Sequence, residues 1–422
     1  MEATAPSETP TQKPGAMKVI IAGAGIAGPS LALLLSRQGH HCTIIERSPG
    51  LRAKGQQIDI RKEGVEAAKR LGIFEEVKKH VVEEGGMQFV NSQGKQTACF
   101  PKMDPKDGQQ GFSSEYEIMR GDLCKILHDA TKDDVQYRFG LAITEYENQE
   151  DRVKVTLSDG SVEECDMLVG ADGQSSRIRK MMLQDEPPEV NKTRDLGLYV
   201  AYFTIPRRDD SSDFGTVYTA DKRRQILTRY HSKTHGQAYF GTMENGEEIL
   251  AVLKEDTTKQ KELFARIFKD AGWQAEPLIK DMMASEDFFC QSTTQIQTTI
   301  WSKGRVVLLG DAGYGPTPLT GMGTSLALMG ATILAGAIGK HQGNLQAAFT
   351  EYDKVLRPVV EKTHQIPGLL PGIVYPKTKF GVKVMNLLLG TATSIGLAKM
   401  IQATTLKNKD EFKLPEYNEV SA

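Results

Sequence analysis

Lys18-Val19-Ile20-Ile21-Ala22 runs straight into Gly23-Ala24-Gly25-Ile26-Ala27-Gly28, and the reading of this stretch decides the fold. The first five residues are a short apolar strand. The glycines follow as Gly-x-Gly-x-x-Gly, and residues 26–38 then carry apolar side chains at helical spacing, with Pro29 acceptable only in the first turn. Gly39 ends the helix, and His41-Cys42-Thr43-Ile44-Ile45-Glu46 reads as the next strand. Gly23 permits the tight turn, Gly25 lets a pyrophosphate approach the backbone, and Gly28 lets helix and strand pack closely; Ala27 sits among them in the helix's first turn. A helix N-terminus offers unpaired N–H groups and a positive dipole end to phosphate. Glu46 stands at the end of the second strand, where a carboxylate accepts hydrogen bonds from ribose hydroxyls and repels a 2′-phosphate. The turn is therefore read as a site for FAD or NAD rather than NADP.

Outward from this unit the chain mixes two textures. Helical spacing is expected around 62–82, at 120–131, at 257–284 and near 322–340. Strands are expected at 83–118, 135–170 and 186–250, and Arg305-Val306-Val307-Leu308-Leu309 leads into a second glycine-rich turn. The expected fold class is α/β: a Rossmann-like nucleotide-binding domain interrupted by a strand-rich substrate domain, with a C-terminal helical extension. The expected boundaries are a disordered tail at 1–16, a discontinuous binding domain at 17–82, 112–185 and 286–364, a substrate domain at 83–111 and 186–285, and the extension at 365–422. The tail, MEATAPSETPTQKPGA, has neither a basic start nor an apolar core and so is not read as a leader. The apolar run from Val384 to Ala398 is about 15 residues, short of the roughly 20 that cross a bilayer. A helix packed on the domain surface is preferred to attachment at a membrane interface.

Composition removes several classes. Lys and Arg (52) nearly balance Asp and Glu (54) and are interspersed with them, which argues against a nucleic-acid partner. The five cysteines lie far apart, without a Cys-x-x-Cys pair or a histidine cluster, and are read as reduced thiols of a cytoplasmic protein with no metal. There is no His-Glu-x-x-His, no Gly-x-Ser-x-Gly and no second Gly-x-Gly-x-x-Gly. Nothing in the sequence separates a monomer from a weak homo-oligomer.

Three further patterns resemble the class A flavoprotein monooxygenases, the para-hydroxybenzoate hydroxylase-like group. Gly170-Ala171-Asp172-Gly173-x-x-Ser176-x-x-Arg179, after the apolar Met167-Leu168-Val169, is similar to the family's DG motif. Gly310-Asp311-Ala312, continuing to Pro318-Leu319-Thr320-Gly321-Met322-Gly323, is similar to its GD motif. Met119-Arg120-Gly121-Asp122-Leu123 resembles its Arg-x-x-Leu element. The resemblance covers residues 17 to about 340. It implies that Asp311 holds the ribityl chain of FAD, that Arg120 reaches the ribityl–phosphate region, and that Asp172 touches the flavin side and bears on NAD(P)H use. The amides of Gly321, Met322 and Gly323 then face the pyrimidine edge, where negative charge builds on reduction. The commonest version of the GD motif has His, Asn and Asp where this chain has Tyr314, Ser325 and Gly330. The variant here looks instead like a subgroup that includes tetracycline-degrading monooxygenases, as does Glu46-Arg47 through Arg52 to Gln57-Ile58-Asp59-Ile60. There the residue matching Arg52 is associated with NADPH, and the one matching Asp59 contacts FAD. An acid within an apolar strand needs a partner, which suits that role.

What the resemblance implies is an FAD-dependent monooxygenase that uses NAD(P)H and O2 to hydroxylate or epoxidise a small aromatic or polycyclic substrate through a flavin C4a-hydroperoxide. The cofactor performs the difficult step, so no catalytic triad or metal is required. Substrate-side candidates are Tyr202 in an alternating strand, Arg224 with Arg229 on another strand, and Tyr314 beside the flavin loop. Three readings compete: a reductase or oxidase that transfers no oxygen to substrate, a flavin-dependent halogenase, and a non-catalytic flavin-binding protein. Against the second, Tyr202-Phe203-Thr204-Ile205-Pro206 lacks the paired tryptophans of the halogenase element.

Overall fold

The strand, glycine turn and helix form where the sequence places them, and a parallel sheet grows around them. In the computed structural model, which describes residues 15–51, 55–102, 115–366, 370–394 and 412–417, Lys18–Ala22 lies between His41–Glu46 and Met167–Gly170 and runs parallel to both. Val306–Leu308 and Gln136–Phe139 extend the sheet on either side, also in parallel, and Ser302–Lys303 closes one edge antiparallel. Parallel strands are covered on both faces and so need unbroken apolar runs. Val19–Ile21 and Met167–Val169 meet that need, with no exposed surface. Val19, Ile21 and Val169 pack toward the helices Ala27–Arg37 and Gly323–Lys340. Ile20, Leu168 and Leu308 pack toward the opposite layer, a three-stranded antiparallel sheet of Ile143–Asn148, Val153–Leu157 and Val162–Cys165 with the helix Arg177–Met182.

The second body is a seven-stranded mixed sheet ordered Phe289–Thr298, Asn191–Pro206, His235–Thr242, Arg224–Arg229, Gly215–Ala220, Gly86–Val90 and Gln96–Pro101. It reaches past the boundary expected at 285, because Phe289–Thr298 pairs along nearly the whole length of Asn191–Pro206. Alternation divides its two faces. Phe203, Phe240 and Ile226 turn toward the helices Thr257–Phe268 and Ala275–Ala284 and form a core with Phe264, Phe268 and Leu278. Val200 and Tyr202 point the other way, toward the binding domain and Tyr375. A two-stranded ribbon, Gln57–Ile60 against Tyr116–Met119, joins the two bodies.

The C-terminal extension is helical over Leu370–Val374 and Lys379–Ser394. The second of these helices packs on the Gln96–Pro101 strand and leaves Phe380, Val384, Leu387 and Leu388 exposed. The remainder of the expected apolar run, most of the expected tail, and Arg52 lie outside the described residues. At the far end, Tyr417 covers Gly336 of the Gly323–Lys340 helix, and Arg70 donates to the carbonyl oxygens of Leu414 and Pro415.

The Gly323–Lys340 helix is buried from Thr324 to Ile338 and has no polar face, as a helix enclosed in a core requires. A Cβ added at Gly330 would lie 2.1 Å from the Tyr314 hydroxyl. Gly330→Ala is therefore expected to destabilise the fold by about 1–3 kcal/mol through overpacking. In a Tyr314→Phe background the same substitution should cost clearly less. Thermal unfolding of the two single variants and the double variant measures that coupling, and equal costs in both backgrounds would show the contact to be unimportant.

Candidate active site

The glycine turn has the shape a pyrophosphate needs. Gly23, at φ 111°, is pressed so closely against the 170–173 loop that a Cβ would meet the Ala171 carbonyl at 2.5 Å. A Cβ on Gly28 would strike the Gly23 carbonyl at 2.1 Å. Gly25 differs: a Cβ there meets only the Arg120 guanidinium, at 3.7 Å, so the space in front of it is open and faces a cation. The Ala27–Arg37 helix begins without an acidic residue in its first turn and without a side-chain cap, leaving its amides available to an anion. Glu46 accepts the amide of Ala24 at 2.9 Å through one oxygen and that of Ser48 at 2.8 Å through the other. Each oxygen keeps a lone pair for a ribose hydroxyl. Arg47 follows it, exposed.

Asp311 begins a short helix after the Val306–Leu308 strand. Protein surrounds its carboxyl closely and burial raises its pKa, yet the residue remains solvent-exposed, which places it on the floor of an open cleft. Arg120 and Arg179 oppose the rise with their positive charge. Pro318–Thr320 forms a single 3-10 turn, Gly321 takes φ 63°, and the amides from Met322 onward start the Gly323–Lys340 helix. Just before the turn, Thr317 holds φ 84° with its hydroxyl buried and without a protein partner. A β-branched residue in that region is strained. The open space at Gly25, the bare helix start, the Asp311 floor and the unpartnered Thr317 hydroxyl together fit an extended dinucleotide with a polyol linker.

Asp172 accepts the Ser176 hydroxyl at 2.5 Å and the amides of Arg177 and Ile178 at 2.7 and 3.3 Å, so it shapes its loop and caps the Arg177–Met182 helix. Two expectations are corrected. Arg224 lies on the helix-facing side of the large sheet. It is 2% exposed and held by Asp221, Asp270 and the Ile267 carbonyl, so it cannot reach the cleft. Tyr314 turns away from the flavin loop into the core, with its ring 4.7 Å from that of Trp301 and its hydroxyl 2.9 Å from that of Tyr352. The helical register after Asp311 decides its direction, and sequence adjacency does not reveal it.

Tyr202 lies on the cleft-facing side. Its ring stacks on Phe289 at 4.7 Å and meets Tyr239 edge-on at 4.8 Å. Gln237 and Tyr239 share that face. Gln237 donates to the Gly55 carbonyl at 2.9 Å, and the Gln57 amide donates to Gln237 at 3.2 Å, which ties the sheet to the ribbon. Asp59 pairs with Arg61 at 2.9 Å directly under Gly321. Arg179 was visible in the DG pattern but not marked as a site residue. It joins the two binding loops by donating to the Ala312 and Gln174 carbonyls, each at 2.7 Å.

A family model described as an FAD binding domain matches residues 16–365. The chain belongs to the FAD-dependent monooxygenases. It is 34% identical to the FAD-dependent monooxygenase asL6 of Sarocladium schorii, over 96% of this chain and 99% of that one. It is 37% identical to the flavin-dependent monooxygenase eupH of a Phoma species, over 91% and 93%. The crystal structure of the tetracycline destructase Tet(51) superposes with a TM-score of 0.76 at 28% identity, covering 95% of this chain and 99% of that one. The class A assignment, the interrupted α/β fold and FAD as cofactor agree with the reading of the sequence.

In this monooxygenase Arg120 is, among the described residues, the cation facing the open space at Gly25. Arg120→Ala removes one charge-assisted contact, of about 1.5–3 kcal/mol. It is expected to weaken FAD binding roughly ten- to hundredfold, with the circular dichroism of the apoprotein unchanged. Fluorescence titration of apoprotein with FAD checks this; unaltered affinity would remove Arg120 from the phosphate site.

Proposed function

We propose that the protein hydroxylates a flat, polycyclic phenolic compound, using NAD(P)H as reductant and O2 as oxidant. The observation that carries this reading is the aromatic face of the large sheet, Tyr202, Tyr239 and Phe289, joined at its edge to the Gly55–Gln57 segment. When bound, reduced FAD supplies the oxygen-transfer chemistry. The chain's own residues do the remaining work. Tyr239 and Phe289, partly exposed and braced by the buried Tyr202 between them, offer an aromatic surface on which an aromatic substrate lies. Gln237 and Tyr239 anchor that surface to the ribbon, so substrate and flavin keep a fixed separation. Tyr375, buried over Gly241 of the same sheet face, closes the cleft from the C-terminal side and keeps water from it.

The fungal relatives named as monooxygenases and the tetracycline destructase neighbour support the substrate class without specifying a compound. A nicotinamide cofactor would dock transiently, since the sequence carries one Gly-x-Gly-x-x-Gly turn and FAD takes it.

The test uses FAD-loaded protein, NADPH or NADH, 18O2 and a panel of polycyclic phenols. One labelled oxygen atom should enter the product for each nicotinamide oxidised. Nicotinamide oxidation that yields only hydrogen peroxide, or a product without label, would establish the oxidase or reductase reading instead. Tyr202→Ala should raise KM about tenfold because Tyr239 and Phe289 lose the ring that braces them, with peroxide release rising alongside, while Arg224→Gln should leave KM unchanged. Steady-state kinetics with coupled peroxide detection distinguishes the two.

A further inference from the structure

The C-terminal helix Lys379–Ser394 has two unlike faces. Its inner face packs on the Gln96–Pro101 strand, and the approach is close: a Cβ on Gly390 would meet the Thr97 carbonyl oxygen at 2.7 Å. Its outer face is apolar and open. Phe380 is 76% exposed, Leu387 69%, Leu388 65% and Val384 37%. Their helical spacing lines them along one stripe. Among the described residues, the four most exposed large hydrophobic side chains are Ile373, Phe380, Leu387 and Leu388, all within this short stretch of chain. Single exposed apolar residues are ordinary, but a contiguous group of them marks a contact surface.

Charge decides what kind of partner fits. Lys377 stands exposed just before the helix, and Lys379 and Lys383 stand exposed on it. From Lys362 to Lys409 the sequence holds seven lysines and no Asp or Glu, in a chain whose 52 basic and 54 acidic residues nearly balance. Lys377 also borders a cleft that Lys222, Arg266 and Lys269 share with two acids, Glu244 and Asp270, so the cationic surface continues past the helix.

A second copy of the chain matches this face poorly. A two-fold contact would set the lysines against their own equivalents, with no acid on the segment to answer them. Residues 395–409 add three more lysines and no acid, so they increase the positive charge instead of offsetting it. An anionic bilayer matches both features at once: the acyl boundary takes the apolar stripe, and acidic headgroups take the lysines. The helix dimensions fix the orientation. Its 16 residues span about 24 Å, short of a hydrocarbon core of about 30 Å. Its inner face is occupied by the sheet, so the helix can lie in the headgroup plane but cannot cross it.

We propose that the outer face of the Lys379–Ser394 helix docks the protein on an anionic lipid surface, with the helix parallel to that surface. The inner face satisfies the expectation of a helix packed on the domain, and the outer face is what remains for the lipid. The proposal depends on neither bound FAD nor the identity of the substrate.

The test is co-sedimentation of the full-length, FAD-loaded protein with vesicles of phosphatidylcholine alone and of phosphatidylcholine mixed with phosphatidylserine. The protein should sediment with the mixed vesicles, bind the neutral ones about tenfold more weakly, and release as salt rises. Leu387→Asp combined with Leu388→Asp should weaken binding to mixed vesicles by about tenfold or more. Flavin absorbance and thermal unfolding should stay those of the wild type, since both side chains are exposed. Lys379→Gln combined with Lys383→Gln should weaken binding severalfold and flatten its salt dependence. A direct probe is Phe380→Trp, whose emission should shift to the blue when mixed vesicles are added. Wild-type protein that stays in the supernatant with both kinds of vesicle overturns the proposal, as does binding unchanged by the paired leucine substitutions. A dimeric wild type that becomes monomeric on those substitutions, with neither form binding vesicles, also overturns it and makes the face an interface between copies.

Discussion

The first turn of the Ala27–Arg37 helix has no acidic side chain and no cap, and the binding half of the molecule keeps those amides bare and aimed at one point. The glycine contacts show how little latitude there is. Helix and strand approach until the Gly23 carbonyl occupies the place of a side chain at Gly28, and the turn as a whole rests on the Ala171 carbonyl. The 170–173 loop is fixed in turn by Asp172, which gathers the Ser176 hydroxyl and two amides. Arg179 then ties that loop to Ala312 beside Asp311. A nucleotide pocket that spans three separated stretches of chain is thus held by backbone contacts, one carboxylate and one buried arginine.

The substrate side obeys a different constraint. A large sheet packed by helices on one face must present its other face to something, and here that face meets the ribbon and the C-terminal helices. The polar groups at this junction are buried, so they must satisfy one another. Gln57, Gln237 and Tyr239 do so as neutral partners, and Asp59, Arg61, Glu84, Glu117 and Arg229 do so as charged ones. The joint between sheet and ribbon is therefore also the place where the charged cluster lies.

The local part of this design was legible in the sequence. Gly23, Gly25, Gly28 and Glu46 act within one βαβ unit, and spacing alone specifies their relation; Arg120 and Asp311 were legible because each begins a helix in a recognisable pattern. Side chains whose role depends on the far partner were not. Alternation in the Arg224–Arg229 strand shows that Arg224 and Arg229 point to opposite faces, but not which face meets the cleft, and both turn out to be held by carboxylates. Glu84 and Glu117 read as ordinary acids until the ribbon brings them to Arg229, more than a hundred residues away along the chain. The boundary at 285 fell short for the same reason, since only pairing with Asn191–Pro206 shows that Phe289–Thr298 belongs to the large sheet.

Tyr314, Ser325 and Gly330 looked like three separate departures from the commonest motif, each weakening the match. In space two of them are one change. The Tyr314 hydroxyl fills the volume that any side chain at 330 would need, and it bonds to Tyr352, so a large residue at the first position requires none at the second. Ser325 is the third. Its hydroxyl accepts the Arg61 amide at 2.9 Å, and a Cβ on Gly64 would lie 2.6 Å from it, so the position is limited to a short side chain that still offers an acceptor. Arg61 is the partner of Asp59, and Ser325 therefore fixes the strand end that carries the charged cluster to the flavin loop. The departures mark a consistent alternative packing beneath the same loop, with the positions of Asp311 and the Met322–Gly323 amides retained above it.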